Sequence, residues 1–421
     1  MSDLSEIVIS SLKSTILELP PCCIEFSPFH PQYFVVGTYF LDKKDEAAPE
    51  QSSSTTEVRE DNKLSQHRTG SVEVYYINPA KEEAVLVQTL LQPSAVLDLH
   101  FYGRPDSTGG ATLCAVTSTG TVEFYRLDPI SRPSEPLAHL ATRSLASVSQ
   151  AEGVLFLHCA WHSTESGLLA ITTSDGRVML AQVDIESYDV KACCEVPIEN
   201  PLENWVVAFT PTERTADGKQ AFTIFSGGDD SAMRWVSCVL SSEGIDADDG
   251  NGELSLQHPY PPAILKNQHM AGVTAILPLS RKLSDGSSLL VTGSYDDTIR
   301  VFAFRPQHEV YGMKSCRLLS ETSLGGGVWR VKVMHTCPDS VTLLVSCMYA
   351  GTRVVRLLLG DGDGDGVGFE ILARFEEHKS MNYGSEFVPD FYCESEDGSQ
   401  KRLVISTSFY DRLMCIWHSP V

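Results

Sequence analysis

Short runs of apolar and β-branched residues, divided by turn-forming residues, recur along the whole chain. Leu289 to Thr292 leads into the turn Gly-Ser-Tyr-Asp-Asp, and Thr298 to Phe304 leads out of it. Val, Ile, Thr and aromatic residues dominate such runs, and Gly, Pro, Asp and Ser separate them, which is typical of β-strands joined by tight turns. No window sustains the period of an α-helix. The pattern therefore predicts an all-β protein.

The turn around Asp296 is one copy of a repeat. Equivalent reference positions recur at intervals of about 50 to 67 residues, at Thr69, Thr119, Asp175, Asp229, Ala350 and Asp411. Six residues after the reference position, five of the seven repeats carry an aromatic residue, at Tyr75, Tyr125, Trp235, Phe302 and Trp417. The next residue after each reference is expected to adopt a positive φ, at Gly70, Gly120, Gly176, Asp230, Asp297, Gly351 and Arg412. Seven such antiparallel units predict a seven-bladed β-propeller of the WD40 type.

The two ends of the chain suggest how the ring closes. The last repeat ends at Trp417 to Val421, which leaves no room for its outermost strand, and Ile7 to Leu19 can supply that strand. Such pairing removes exposed sheet edges. We expect one domain over residues 1–421, closed by an N-terminal strand, and unfolding when either end is removed. A disordered loop is expected over 43–67, and surface loops over 241–252 and 360–366.

Charge and cysteine usage restrict the kinds of partner and location. The 55 acidic and 32 basic residues give a formal net charge of −23, which disfavours nucleic acid and anionic membranes as partners. The twelve cysteines include the adjacent pairs Cys22–Cys23 and Cys193–Cys194 and form no C-x-x-C motif, which indicates reduced thiols. The first residues do not resemble a signal peptide, and no apolar run is long enough for a membrane helix. These features predict a cytoplasmic monomer.

The sequence contains no strong metal or nucleophile motif. The run from Asp361 to Gly366 has the spacing that opens a calcium loop, but Leu372 stands where the bidentate glutamate belongs, so a solvated turn is favoured. The twelve histidines are dispersed without metal-ligand pairing, and no metal or other cofactor is expected. No G-x-S-x-G elbow occurs. His269 is expected to bond with Asp296 inside blade five, because buried polar groups need partners.

Unusual residues are concentrated in blades five to seven. Tyr295, Tyr349 and Tyr410 each stand one residue before the reference position, and in a propeller these turns share a face with the segments that enter the first strands. Three aromatic residues on neighbouring blades predict an aromatic-lined pocket; the alternative is that each tyrosine packs on its own blade. Trp329 alternates with Arg330 along a strand, so one of the two is expected to pack in the core.

Four segments of these blades resemble the diphthine methylesterase family (diphthamide biosynthesis protein 7), WD-repeat proteins of the diphthamide pathway, and the resemblance covers all seven repeats. The four segments are residues 292–302, 325–330, 377–384 and 406–412. The resemblance implies hydrolysis of the methyl ester of methylated diphthine on eukaryotic elongation factor 2. It thereby implies a carboxylic ester hydrolase, with elongation factor 2 and other diphthamide-pathway enzymes as partners.

The implied substrate carries a trimethylammonium group, and aromatic faces attract such a cation by ~0.5–2 kcal/mol per contact. The substrate-binding candidates are therefore the aromatic residues of this face: Tyr295, Trp329, Tyr349, Tyr383 and Tyr410. Hydrolysis further needs a base and donors for the oxyanion.

Candidates for the chemical step come from the same segments. His378 is the expected base, and Asp411 would orient it or replace it. Arg330 and the amides of Gly325 to Gly327 would bind the oxyanion or the carboxylate. Direct attack by water is favoured over a covalent serine, although Ser380 and Ser408 stay open as nucleophiles. The alternative function is a non-catalytic WD-repeat scaffold, because the fold alone does not separate the two.

Overall fold

A computed structural model describes most of the chain, and every statement below concerns its described residues. These are residues 7–41, 67–107, 109–145, 153–215, 217–240, 254, 256–307, 309, 316–360, 364, 366–389, 391, 393–394 and 400–420. Most of the loop expected over 43–67, the loop expected over 241–252 and the aspartates of the 360–366 segment lie outside these ranges. Within them no helix is long and apolar enough to span a lipid bilayer.

The first four blades follow one another along the chain, and in each the consecutive strands pair antiparallel. Blade one contains β3 (Pro21–Phe26), β4 (Tyr33–Thr38), β6 (Arg68–Asn78) and β7 (Glu83–Gln92), and the short β5 (Phe40–Leu41) pairs with β6. Blade two contains β8 (Val96–Pro105), β9 (Ala111–Thr117), β10 (Thr121–Leu127) and β11 (Leu137–Ser144). Blade three contains β12 (Phe156–Trp161), β13 (Leu168–Thr173), β14 (Val178–Val183) and β15 (Val190–Glu195). Blade four contains β16 (Asn204–Phe209), β17 (Glu213–Arg214), β18 (Gln220–Gly228), β19 (Met233–Leu240), β20 (Leu256–Gln257) and β21 (Ala263–Leu265).

Blades five to seven complete the ring, which confirms the predicted seven-bladed propeller. Blade five contains β22 (Val273–Lys282), β23 (Ser288–Ser294), β24 (Thr298–Phe304) and β25 (Cys316–Ser323). Blade six contains β26 (Arg330–Thr336), β27 (Ser340–Ser346), β28 (Thr352–Leu359) and β29 (Val367–Phe375). Blade seven contains β30 (Gly384–Phe387), β31 (Cys393–Glu394), β32 (Gln400–Thr407) and β33 (Leu413–Pro420). Each blade's first strand contacts the first strands of both neighbouring blades, so these seven strands surround the central channel.

The N-terminal segment joins two blades rather than one. The strand β2 (Lys13–Ile16) pairs antiparallel with β33 as the outermost strand of blade seven, as predicted. The preceding strand β1 (Ile7–Ile9) pairs in parallel with β29 of blade six, which the sequence did not indicate. The N-terminus therefore covers two sheet edges that would otherwise be open.

The backbone conformation of the turns shows which positions of the repeat need a particular residue. The residue after the reference position has a positive φ in five blades, at Gly120, Gly176, Asp297, Gly351 and Arg412. In blade four the positive φ lies at Ser231 instead of Asp230. In blade one Gly70 is extended within β6, and a Cβ there would lie 2.2 Å from the carbonyl oxygen of Thr38. The requirement for glycine at that position is thus close packing and not a turn.

Apolar side chains between neighbouring blades form the core. Leu289, Val291 and Val301 of blade five pack against Leu343 and Val345 of blade six in one buried cluster. Between blades six and seven the rings of Phe375 and Trp417 stack at 5.0 Å with an angle of 4° between their planes. Because the core lies between blades, polar side chains near the axis are free to line the channel.

Candidate functional site

Aromatic residues from four blades meet where the first strands begin. Trp329 lies at the centre, with ring centroids 5.6 Å from Trp205 of blade four and 6.0 Å from Tyr295 of blade five. On its other side Tyr383 of blade seven lies at 4.9 Å, and Phe409 lies 5.6 Å beyond Tyr383. These five residues are called the aromatic cluster below. Only the propeller ring could bring them together, because they span more than two hundred positions of sequence.

Two of the expected binding tyrosines lie at the edge of this cluster. Tyr410 contacts Phe409 at 5.0 Å between ring centroids, and 70% of its surface is exposed. Tyr349 is 71% exposed. Burial is the largest cause that raises the pKa of Tyr383 to about 12, and the nearby Tyr410 and Tyr349 raise it further. Of the five expected aromatic residues, Tyr295, Trp329 and Tyr383 thus form one contact surface, and the other two form its exposed rim.

Arg330 lies directly against the cluster. Its guanidinium carbon is 4.6 Å from the centre of the Trp329 ring, and its Nη1 donates to the carbonyl oxygens of Thr274 and Trp329 at 3.1 Å each. Both Trp329 and Arg330 are half-buried, so the expectation that one of them packs in the core is wrong. Among the described residues no carboxylate forms an ion pair with Arg330. Its charge is therefore available to an anionic or carbonyl oxygen.

The blade-four side of the cluster is acidic. The indole nitrogen Nε1 of Trp205 donates to Oδ1 of Asp229 at 2.6 Å, and Glu203 lies nearby. Burial raises the pKa of Asp229, and the charge of Glu203 raises it further. Both carboxylates interact with Tyr295, whose pKa is raised mainly by burial. A carboxylate beside aromatic faces favours a cationic ligand.

The structure places the expected base inside blade seven and not in the channel. His378 is 4% exposed, and its Nε2 bonds with Oγ of Ser406 at 2.8 Å, while the same Oγ accepts the indole N–H of Trp417 at 2.9 Å. Burial lowers the pKa of His378 to about 4. Its ring lies edge-on to Phe375 at 5.2 Å. The geometry is that of a neutral histidine that joins the segment entering blade seven to the strand of Ser406.

Blade five contains the same unit. Nε2 of His269 bonds with Oγ1 of Thr292 at 2.8 Å, and burial lowers the pKa of His269 to about 4. The expected hydrogen bond from His269 to Asp296 does not form; Asp296 accepts from the amide of Met270 and pairs with Arg300. The structural role expected of His269 is therefore correct, but its partner is the hydroxyl of the second strand.

Asp411 holds the segment that enters blade seven. Its carboxylate accepts from the amide of Lys379 at 2.9 Å and from Oγ of Ser380 at 2.6 Å, and that Oγ accepts from the amide of Tyr410. Burial raises the pKa of Asp411. The hydrogen bonds, of which that from Ser380 has the largest effect, nevertheless hold this pKa below its usual value. Asp411 thus fixes the loop beside Tyr383 and Tyr410, and its own oxygens are already occupied.

Below the aromatic cluster the channel wall carries a second polar group that sequence reasoning missed. Oδ2 of Asp98 lies 3.2 Å from Nε2 of His100 and 3.5 Å from Nε2 of His158, and Nδ1 of His100 lies 2.5 Å from Glu25. Burial lowers the pKa of His100, but the carboxylates of Asp98 and Glu25 hold it well above its usual value. Arg330, which stacks on Trp329, is also close enough for its charge to act on both Asp98 and His158.

An ion pair between blades six and seven also lies in the channel wall, next to blade one. Nζ of Lys332 binds the carboxylate of Glu386 and lies 3.4 Å from the carbonyl oxygen of Ile24. A partial signal is present in the sequence, since Asp98, His100 and Lys332 each stand between two apolar residues of a first strand. Trp205 stands at the start of blade four as Trp329 stands at the start of blade six. The expectation that the histidines are dispersed without grouping is wrong for His100 and His158.

Comparisons with known proteins find similarity to proteins that share one name, diphthine methyltransferase. No protein-family model matches it. Proteins named diphthine methyltransferase in Saccharomyces cerevisiae and Schizosaccharomyces pombe are 24% and 25% identical; the matches cover 97% and 98% of this chain and 97% and 99% of theirs. A diphthine methyltransferase homolog of Dictyostelium discoideum is 24% identical over 94% of this chain and 95% of its own.

A solved structure shows the same fold. The crystal structure of Chaetomium thermophilum Sqt1, bound to the N-terminus of the ribosomal protein L10, superposes with a TM-score of 0.53 over 98% of this chain and 99% of that one. At 14% sequence identity this likeness supports the propeller architecture alone.

Proposed function

We propose that this protein acts in diphthamide biosynthesis by hydrolysing the methyl ester of methylated diphthine on eukaryotic elongation factor 2. The near-full-length similarity to proteins named diphthine methyltransferase supports the pathway and the modified side chain. The observation that carries the proposal is the aromatic cluster with Arg330 stacked on it. A quaternary ammonium and an ester carbonyl within one side chain match these two neighbouring surfaces.

In the proposed complex the trimethylammonium group lies against Trp329, Tyr295 and Tyr383. The carboxylate of Asp229 attracts the cation electrostatically. Arg330 donates to the ester carbonyl, whose oxygen becomes negative when water attacks the carbon. The carbon–methoxy bond then breaks, methanol leaves with one proton of the water, the second proton passes to solvent, and the carboxylate remains on the side chain of the elongation factor. Water attack is preferred because Ser380, the serine bonded to Asp411, already uses its Oγ to donate to that carboxylate and to accept from the amide of Tyr410.

The catalytic role expected of His378 and Asp411 stays a prediction. Burial of His378 and the occupied oxygens of Asp411 instead support a role in holding residues 378–384 beside the cluster. Arg330 keeps the oxyanion role. The exposed Tyr349 and Tyr410 belong to the surface on which the elongation factor would dock, and the net charge of −23 favours a basic partner surface.

Transfer of a methyl group is the second candidate, because the relatives are named methyltransferases. One experiment separates the two reactions. Purified protein is incubated with methylated-diphthine elongation factor 2, and methanol release and the mass of the modified peptide are followed together. Hydrolysis gives methanol and a peptide lighter by one methyl group. Unchanged substrate excludes hydrolysis, and methyl gain by diphthine elongation factor 2 with a methyl donor favours transfer.

Two variants test whether the cluster is the site. Arg330→Met is expected to reduce kcat/KM by about 100-fold, because a donor to the developing oxyanion is lost. Arg356→Met is the matched control: Arg356 is a half-buried arginine of the same blade, but it pairs with Glu370 away from the channel. Trp329→Leu should reduce kcat/KM about 10-fold or more, whereas Trp161→Leu, which removes a half-buried tryptophan packed on Tyr102, should not. Equal effects in both members of a pair would contradict this location.

A further inference from the structure

The geometry points to a binding site for a divalent transition-metal ion, with zinc as the best fit, formed by Asp98, His100 and His158 in the wall of the channel. Among the described residues these are the one group of three side chains whose ligand atoms all lie within 4.8 Å of one another. They come from the first strands of blades two and three, which lie side by side. Zinc binding is measured without substrate, so this site can fail or hold independently of the proposed ester hydrolysis.

The spacing of the ligand atoms suits tetrahedral zinc. Zinc–nitrogen and zinc–oxygen bonds of about 2.0–2.2 Å place neighbouring ligands about 3.3–3.5 Å apart. Oδ2 of Asp98 lies 3.2 Å from Nε2 of His100 and 3.5 Å from Nε2 of His158. Asp98 is buried on β8, two residues before His100 on the same side of the strand, so the backbone fixes this spacing.

The surroundings also match a metal centre. Glu25 binds Nδ1 of His100 at 2.5 Å, the outer-shell carboxylate that orients a metal-bound histidine and leaves Nε2 for the ion. The backbone of blade two holds that glutamate of blade one, because Oε1 of Glu25 accepts from the amide of Phe101 at 3.0 Å. The side chain of His100 is 28% exposed, so solvent reaches the group. Three protein ligands with one open position are typical of catalytic zinc sites.

One contact opposes the metal. The amide of Val207 donates to Nδ1 of His158 at 3.3 Å, which keeps the ring proton on Nε2, and zinc on Nε2 requires this hydrogen bond to be given up. Without metal, the N–H groups of both histidines and the amide of Cys159 converge on the same oxygen of Asp98. Displacing two of these three donors by one ion relieves that crowding. The charge of Arg330, which acts on both Asp98 and His158, also opposes the ion, whereas Glu386 neutralises the charge of Lys332.

The test uses the full-length protein after removal of metal by a chelator. Zinc chloride is titrated by calorimetry, and cobalt chloride is titrated by visible absorption, which reports tetrahedral nitrogen and oxygen ligands. We expect one zinc per chain and saturable cobalt bands. His158→Ala and Asp98→Asn should each weaken zinc binding at least 100-fold, and Glu25→Gln about 10-fold or more, since it removes only the orienting carboxylate.

His139→Ala is the matched control, because His139 also pairs with a glutamate, Glu123 at 2.8 Å, but on the outer strand of blade two. It should leave zinc binding unchanged. Circular dichroism checks that each variant is folded, and the wild-type titration alone keeps the test valid if Asp98→Asn does not fold. No saturable binding by the wild-type protein would overturn the site, and so would one zinc per chain that is insensitive to both His158→Ala and Glu25→Gln.

Discussion

Histidines occur in two environments of this propeller, the blade interior and the channel wall, and their partners differ. Inside blades five and seven, His269 and His378 bond with hydroxyl groups, and burial lowers the pKa of each to about 4. In the channel wall, His100 lies between two carboxylates that hold its pKa well above the usual value, whereas burial lowers the pKa of its neighbour His158 to about 3. Hydroxyl partners thus accompany the histidines inside the blades, and carboxylate partners accompany those in the channel wall.

The difference follows from where the two regions lie. A blade interior is covered by the next blade, so a charged group there would lose its hydration without compensation. The channel wall is bordered by several first strands, and each can supply a charge of either sign, as Lys332 and Glu386 show. A histidine in a conspicuous sequence motif is therefore weaker evidence for catalysis than a polar residue inside an apolar first strand.

The largest expected effect comes from breaking a charge pair in the channel wall. Lys332→Met should lower the free energy of unfolding by about 3–5 kcal/mol, because it leaves the buried carboxylate of Glu386 without its partner. The double variant Lys332→Met, Glu386→Leu should recover most of this loss. Urea unfolding of the two variants checks it. A double variant as unstable as the single one would show that the pair is not the cause.

His378→Ala should have the next largest effect, and this effect should depend on pH. The pKa of His378 is lowered from 6.5 to about 4, so the folded state favours the neutral ring. Its contribution, about 3 kcal/mol, is complete above pH 6.5 and is lost as the pH falls through 4. The stability difference from wild type should therefore shrink between these two values, as measured by urea unfolding across the range.

The same variant tests catalysis in blade seven. If His378 only holds the segment that enters blade seven, His378→Ala should lower kcat per folded molecule no more than His269→Ala does in blade five. A large loss of kcat with unchanged stability would instead support His378 as the base.

The smallest effects are expected at the exposed rim. Tyr349→Ala and Tyr410→Ala should change the free energy of unfolding by less than about 0.5 kcal/mol, because both side chains are about 70% exposed. Each should reduce kcat/KM about two- to five-fold, the size of an exposed cation–π contact. Thermal unfolding and methanol release provide the two measurements. An unchanged rate in both variants would remove the rim from the binding surface and leave Trp329, Tyr295 and Tyr383.

The repeat predicted the ring, the reference turns and the strand that closes blade seven, because each depends on local pattern: alternation within a strand, turn residues between strands, and a missing fourth strand. The same pattern placed Tyr295, Trp329 and Tyr383 on one face. The sequence suggested His378 as the base because of the motif in which it lies. The structure instead buries this side chain against Phe375, a contact that no local pattern shows.

By itself, then, the sequence determined the number of blades, the positions of the tight turns in five of them and the face on which the aromatic residues lie, since these follow from short-range periodicity. Only the tertiary structure decided that Trp205 joins Trp329, that Arg330 stacks on it, and that Asp98, His100 and His158 meet in the channel. Contacts between blades depend on how the first strands align around the axis, and that alignment is fixed when the ring closes rather than by any one repeat.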